Sequence, residues 1–218
     1  MSTRRYLGIA TFAITALLLC ASSHAQDETI QCPSQAKHEI AKAYPSLSFG
    51  GYECARGDLD HDGIPDVAAL IQYTRDKAEL AQVLILKGSL LGDYAIIEKS
   101  SVYSPDMHRT EYASIRKGSL FLTASSHTSD AYAGTSYQFK LVKGEFVLIG
   151  LEASHGRIGK SKPAFRRSVN FLAGNLIETR ENRGRPIVQE RRIATPPHIR
   201  LQEFTLDDVG GMAFKEAE

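Results

Sequence analysis

An acidic segment is the part of this sequence whose residue types and spacing indicate definite chemistry. It runs Asp-Leu-Asp-His-Asp-Gly-Ile-Pro-Asp from Asp58 to Asp66, with carboxylates at its first, third, fifth and ninth positions. Like charges this close repel one another, so folding such a segment is costly unless a cation lies at its centre. Calcium takes six to eight oxygen ligands at about 2.3–2.6 Å. The segment therefore predicts a calcium site.

The expected calcium ligands are one oxygen from each of five positions: Asp58, Asp60, Asp62, Asp66 and the main chain of Ile64. Gly63 allows the sharp turn between the fifth and seventh positions. An EF-hand needs a glutamate at position twelve and a helix after the loop. Position twelve is Ala69, and residues 67–73 are strand-like instead. An acidic, solvated turn without an ion is the alternative interpretation.

The spacing resembles the calcium loops of integrin-type FG-GAP and related VCBS repeats. The resemblance implies a loop that joins two strands and an ion whose role is structural. His61 departs from the familiar Asp-Leu-Asp-Gly-Asp-Gly form, in which glycine is usual at its position. We expect the side chain at that position to point outward, so the histidine should be tolerated.

The first 25 residues are typical of a signal peptide. Arg4 and Arg5 precede an apolar run over 9–20, and Ser23-His24-Ala25 suits signal peptidase. The run is shorter than the roughly 20 apolar residues that span a bilayer as a helix. We therefore expect cleavage after residue 25, no transmembrane segment afterwards, and a periplasmic or secreted protein. The alternatives are an uncleaved anchor and lipidation at Cys20, which the large Leu19 before it disfavours.

Cysteine usage and charge agree with export. Cys32 and Cys54 remain after cleavage, and two thiols in an oxidising compartment predict a disulfide. Two free buried thiols are the alternative. Without Arg4 and Arg5 the chain has one more acidic than basic residue. This near-neutral balance gives no electrostatic reason to bind nucleic acid.

Apolar periodicity and turn residues predict a mainly β single domain over 26–218, with a short N-terminal helix over 33–43. The strand-like runs are 67–73, 81–86, 94–98, 111–116, 120–124, 137–142, 146–151, 169–172 and 176–179. Lys87-Gly88, Lys117-Gly118 and Lys143-Gly144 separate such runs, and glycine supplies the positive φ of tight hairpins. We predict an antiparallel hairpin meander, either propeller-like or a curved sheet. The tail from Arg191 should pack as an irregular strap.

Candidate catalytic groups are weak. His127 and His155 lie beside serines, but residues of a catalytic triad are gathered by the fold and not by adjacency in sequence. Zinc binding by these two with His108 lacks a recognisable spacing. The sequence has no nucleophile elbow and no His-Glu-x-x-His segment. We expect no enzyme activity and rank a hydrolase last among the functional hypotheses.

The segment Ala133-Gly134-Thr135-Ser136-Tyr137 is similar to the Ser-Gly-x-x-Tyr motif of periplasmic lysozyme inhibitors, whose loop enters a lysozyme cleft. The resemblance implies partner contacts at Gly134 and Tyr137. Ala133 lacks the hydroxyl of the motif's first residue. Alternatively, Tyr137 simply begins the strand over 137–142.

Residues 57–179 together resemble a group of small exported bacterial proteins, through the acidic loop and the segments 137–150 and 169–179. They also resemble periplasmic immunity proteins of secretion systems, which are β-rich, carry calcium and block peptidoglycan-cleaving effectors. The resemblance implies a calcium-stabilised periplasmic inhibitor or immunity protein whose partner is a lysozyme-like peptidoglycan hydrolase. The alternative is a calcium-stabilised adhesion or scaffold module that binds a surface or polysaccharide ligand.

Overall fold

Two antiparallel sheets, one α-helix and one short 3-10 helix make up the fold in the computed structural model, which describes residues 31–105, 109–159, 164–182, 184–193 and 198–206. The α-helix is α1 (Ser34–Ala43), and the 3-10 helix is Leu201–Glu203. The first sheet contains, in spatial order, β1 (Ser48–Gly57), β2 (Asp66–Arg75), β3 (Ala78–Gly88) and β4 (Tyr94–Lys99). The second contains β5 (Thr110–Arg116), β6 (Ser119–His127), β7 (Ala131–Val142), β8 (Glu145–Arg157), β9 (Phe165–Asn170), β10 (Asn175–Asn182) and β11 (Arg185–Arg192).

Both sheets are meanders, because each strand pairs with its neighbours in sequence. The predicted antiparallel meander with a short N-terminal helix is therefore confirmed. The sheets have four and seven strands, so they are not copies of one repeated unit. Lys117 and Gly118 have φ of 50° and 69°, and Lys143 and Gly144 have 52° and 88°. Two successive positive φ values are typical of type I′ hairpins, as those Lys-Gly pairs predict.

The Lys87-Gly88 pair behaves differently from the other two and corrects one expected turn. Both residues belong to the end of β3, and the chain reverses over residues 89–93 instead. Gly92, with φ of 83°, takes the left-handed position in this longer turn. Because β3 extends through Gly88, the side chain of Lys87 and the backbone of Gly88 remain beside the acidic loop.

The two sheets and the helix form three layers with two buried cores. The outer core lies between α1 and one face of the first sheet, where Ile40 packs with Ile71 and Leu84. The inner core lies between the two sheets and contains Leu70 from one and Phe139 from the other. The first sheet is covered on both faces, which explains why β2 is a nearly continuous apolar run.

The end of the chain closes the inner core. Leu201, Phe204 and Leu206 are buried in it, and the ring of Phe204 packs edge-on against Tyr137 and Phe139. The backbone of Leu148 donates to the carbonyl of Ile199. The tail expected to be irregular from Arg191 is partly regular, because Arg191 and Arg192 end β11 and Leu201–Glu203 form a short 3-10 helix. Residues 198–206 pack across the core as the expected strap, while Pro196 and Pro197 lie outside the described residues.

A disulfide joins Cys32 to Cys54, with a Cα–Cα distance of 5.0 Å. It links the segment just before α1 to β1, so the predicted pairing is confirmed. The bond is compatible with export to an oxidising compartment. The expected signal peptide, residues 1–25, lies outside the described residues.

No helix in the described ranges has the length and apolar character needed to cross a membrane.

We predict that reducing the disulfide destabilises the fold by about 3 kcal/mol, because the unfolded chain regains the entropy of an open loop of this length. Urea unfolding with and without a phosphine reductant measures the difference. A Cys32→Ala/Cys54→Ala double variant is the control and should not respond to the reductant. Equal wild-type stability under both conditions would contradict the prediction.

Candidate metal centre

The acidic loop, residues 58–65, joins β1 to β2, and Asp66 is the first residue of β2. A strand rather than a helix follows the loop, so the local structure differs from an EF-hand. Leu59 is buried in the inner core and anchors the start of the loop between the sheets. The acidic side chains are therefore held at the junction of the two layers.

Three of the predicted ligands converge. One carboxylate oxygen from each of Asp58, Asp60 and Asp66 lies within 4.8 Å of the others. Oxygens on opposite sides of a calcium ion are about 4.8 Å apart, since each is about 2.4 Å from it. The spacing of the three carboxylates therefore fits a shared divalent cation, and only oxygen atoms are offered.

Backbone N–H groups fix the carboxylates in place. Asp66 is buried and accepts from the N–H groups of Leu59 at 2.9 Å and Gly88 at 3.0 Å. Asp58 Oδ2 accepts from the N–H of Gly63 at 2.9 Å. Asp58 Oδ1 is also buried but has no hydrogen-bond partner. An unsatisfied buried polar atom costs about 1–3 kcal/mol, and more when charged, so this oxygen fits the role of a metal ligand.

Lys87 supplies the positive charge nearest to the loop. Its ammonium contacts Asp60 Oδ2 and lies 3.0 Å from Asp62 Oδ2. The pKa of Asp62 is lowered, first by the hydrogen bond from the N–H of Ile64 and then by Lys87. Burial raises the pKa of Asp66, although its two backbone hydrogen bonds oppose that shift. One ammonium against four carboxylates leaves an excess of negative charge for a cation to balance.

The structure brings together part of the predicted ligand set. Asp58, Asp60 and Asp66 form the cluster, whereas Asp62 turns its Oδ2 towards Lys87. Ile64 donates its N–H to Asp62 Oδ1 at 2.8 Å. Calcium ligation by Asp62 and by the carbonyl of Ile64 stays a prediction.

His61 occupies a position where the similar repeats have glycine. Its φ is 64°, a left-handed conformation that costs a non-glycine residue about 1–2 kcal/mol. The side chain is exposed, but its ring lies against Gly118 in the turn between β5 and β6. A Cβ atom at position 118 would lie 2.2 Å from His61 Cε1. His61 therefore ties the acidic loop to the second sheet.

The hairpin between β3 and β4 starts at the acidic loop and carries residues that the sequence analysis missed. The N–H of Gly88 bonds to Asp66, and a Cβ at Gly88 would lie 2.3 Å from the carbonyl oxygen of Pro65. Immediately beyond this contact, Leu90 and Leu91 are 91% and 89% exposed. We call this pair the leucine tip. The sequence does not distinguish these two leucines from leucines of the core, because the difference is in their exposure and not in their residue type.

The resemblance to lysozyme inhibitors implies partner contacts at Gly134 and Tyr137, and both residues lie within β7. They pair on both sides, with β6 and β8. Tyr137 is only 2% exposed, and burial raises the pKa of its hydroxyl to about 12. This placement favours the strand interpretation of Tyr137, since a residue that enters a partner's cleft must be exposed.

The histidines singled out from the sequence do not converge. His127 on β6 pairs with Tyr132 on β7, which in turn pairs with Gly156 on β8. His155, the residue before Gly156, pairs with Ala133 instead. Because side chains alternate across a sheet, His127 and His155 lie on opposite faces. His155 stacks on Phe165 at 5.1 Å. His108 lies outside the described residues.

No family model, curated protein or solved structure matches this chain. The fold and the site define a two-sheet β protein with a disulfide and an acidic cluster able to hold a metal ion.

We predict that Asp58→Asn removes calcium binding without lowering stability in chelator. The asparagine carbonyl still accepts from Gly63, and a buried charge without a partner is removed. Calcium at 100 times its Kd should stabilise the wild type by about 2.7 kcal/mol. Thermal unfolding with EDTA or calcium measures both effects. Asp76→Asn, an exposed change in the turn between β2 and β3, is the control and should keep the calcium response.

Gly118→Ala should destabilise the fold by about 2 kcal/mol, because the new methyl group strains a positive φ and strikes the ring of His61. A double-mutant cycle with His61→Gly separates these causes. If the ring contact matters, the double variant recovers part of the loss. Purely additive effects in urea unfolding would show that the two residues are not coupled.

Proposed function

We propose that this chain is an exported, calcium-stabilised binding protein that inhibits, or gives immunity against, a peptidoglycan hydrolase. The observation that carries the proposal is the convergence of Asp58, Asp60 and Asp66 at the base of the exposed leucine tip. In this proposal calcium has a structural role. It holds the acidic loop, and the loop holds the hairpin that contacts the partner.

The donor set supports calcium over other common ions. Zinc in proteins favours cysteine and histidine ligands, whereas this cluster offers carboxylates alone. Magnesium dehydrates reluctantly and usually keeps several waters, binding through one or two carboxylates. Three converging carboxylates with main-chain oxygens in the same loop suit the larger and more flexible coordination of calcium.

The leucine tip supports a protein partner. Two adjacent leucines that are about nine-tenths exposed form an apolar projection into solvent. The turn beneath them is well ordered: the N–H of Ser89 bonds to Asp93, and that of Gly92 bonds back to Ser89. The Ser89 hydroxyl also accepts from the N–H of Asp93. A preorganised tip loses little conformational entropy when it binds.

The shape of the tip suits a concave partner. An apolar pair at the end of a narrow hairpin gains most from a cleft that surrounds it, since a flat surface would leave much of both leucines in water. Enzymes that cleave long polymers bind them in open clefts of this kind. We infer the class of the partner enzyme from the resemblance to immunity proteins, and we infer the site of contact from the exposure of the leucine tip.

A second candidate function is a calcium-stabilised adhesion or scaffold module with a polysaccharide ligand. A separate feature favours it, a polar trough on the second sheet that lies far in sequence from the acidic loop. The two candidate functions depend on different surfaces, because the first requires the leucine tip and the second does not.

Capture of periplasmic hydrolases by the mature protein tests the leading proposal. Leu90→Ser/Leu91→Ser should weaken binding and inhibition of a captured hydrolase at least tenfold, because burying a leucine side chain contributes about 1.5–3 kcal/mol. Ile158→Ser/Val188→Ser removes two exposed apolar side chains elsewhere and is the matched control. Peptidoglycan turbidity loss reports hydrolase activity.

Calcium dependence completes this test. Chelation should weaken hydrolase binding by the wild type, and Asp58→Asn should bind weakly with or without calcium. If the leucine double variant inhibits as well as the wild type, the tip is not the contact. If no hydrolase is bound or inhibited at micromolar concentration, the inhibitor proposal is wrong.

A further inference from the structure

The face of the second sheet that is turned away from the inner core contains a trough of about 530 Å³ that crosses β5 to β9. Its opposite face supplies Leu122, Tyr137 and Leu151 to the inner core. The volume falls within the range of small-ligand sites, about 300–1,000 Å³. We call this feature the open-face trough.

Strand register places its lining residues in straight rows. One row crosses five strands through successive paired positions: Tyr112, Thr123, Ser136, Glu152 and Ser168. A second row beside it contains Phe121, Gln138, Gly150 and Asn170. Neighbouring strands are about 4.8 Å apart, so the first row extends roughly 19 Å across the sheet and the second roughly 14 Å.

The chemistry of the trough differs from that of an ordinary solvated sheet face, which carries long charged side chains. Its lining contains short hydroxyl and amide side chains, a glycine, the two aromatic rings of Tyr112 and Phe121, and aliphatic residues that include Ile149 and Leu172. Two charged residues line it, Arg116 and Glu152, so the lining has no net charge. Glu152 is also paired with Arg166 at 3.0 Å.

We propose that the open-face trough binds a segment of an uncharged polysaccharide whose sugar rings lie one per strand along the rows. Hydroxyl and amide groups both donate and accept hydrogen bonds, as sugar hydroxyls do. Aromatic rings pack against the apolar faces of sugar rings, and Tyr112 adds a polar end. The strand spacing is close to the repeat of pyranose rings in a β-linked chain.

Charge and geometry argue against other ligands. An anionic polymer needs an excess of lysine and arginine, and the lining is balanced. An extended peptide gains its backbone hydrogen bonds at a sheet edge, whereas the trough crosses the face of strands that are already paired. A neutral, hydroxyl-rich ligand matches both the charge and the donor set.

This inference rests on the second candidate function, for which it names the site and the class of ligand. It is independent of the leading proposal, because it requires neither calcium binding nor the leucine tip. The mature protein would contact polysaccharide through one sheet face and a protein through the β3–β4 hairpin. Failure of one proposal therefore leaves the other standing.

Titration of the mature protein with chitohexaose and cellohexaose tests the trough, with heparin as an anionic probe. Calorimetry and amide chemical shifts measure binding. Ser168→Ala removes a hydroxyl at nearly constant volume, and Tyr112→Ala removes one of the two aromatic rings. Each should weaken binding of the neutral oligosaccharide about tenfold. Thr179→Val and Tyr132→Ala, on the same face but outside the trough, are the matched controls and should bind as the wild type does.

Several results would overturn the proposal: neither neutral oligosaccharide binds at millimolar concentration, only heparin binds, or the control variants weaken binding as much as the trough variants. Thermal unfolding of every variant identifies loss of fold, and Ser168→Ala keeps the test valid if Tyr112→Ala does not fold. The calcium response and hydrolase capture measured on the same samples separate this result from the proposed function.

Discussion

Repulsion among the carboxylates between β1 and β2 is the constraint on which the junction of the two sheets depends. Backbone N–H groups and Lys87 balance part of that charge, and Asp58 still presents a buried oxygen without a partner. The chain around the loop is tightly packed, since a Cβ at Gly57 would lie 2.5 Å from Ile115 Cγ2 on β5. Gly88 and Gly118 are equally close to the loop itself. A cation held there would therefore fix both sheets relative to the β3–β4 hairpin.

The layered arrangement explains how one small protein exposes both a hairpin tip and an open sheet face. Both faces of the first sheet are buried in cores, so this sheet presents its turns and edges to solvent. The second sheet buries one face only and leaves the other open. Rigid pairing through seven strands keeps the rows of that open face in register. Hairpin and trough thus depend on different parts of the same scaffold.

The sequence was most informative where local pattern and tertiary packing agree. Apolar runs found β2 and β3, and the Lys117-Gly118 pair marked a real hairpin because both residues take positive φ. The sequence pattern did not predict β1, because Gly50 and Gly51 have weak strand preference. In the structure β1 nevertheless pairs with β2 from Ser48 to Gly57. The acidic spacing predicted the cluster, but not that Asp62 would turn to Lys87, a residue far along the chain. The exposure of Leu90 and the alignment of Ser136 with Glu152 arise from packing and register, which no local pattern encodes.

The last strand of the second sheet carries a further consequence. β11 pairs with β10 on one side only, so alternate backbone groups along its other side face outward. Such an edge invites a second chain to extend the sheet, which is the usual start of aggregation. Pro186 removes one N–H donor there, and Arg185, Arg191 and Arg192 outnumber Glu190. Two copies approaching edge to edge there would meet like charges and a missing donor, which disfavours extension of the sheet beyond its seventh strand.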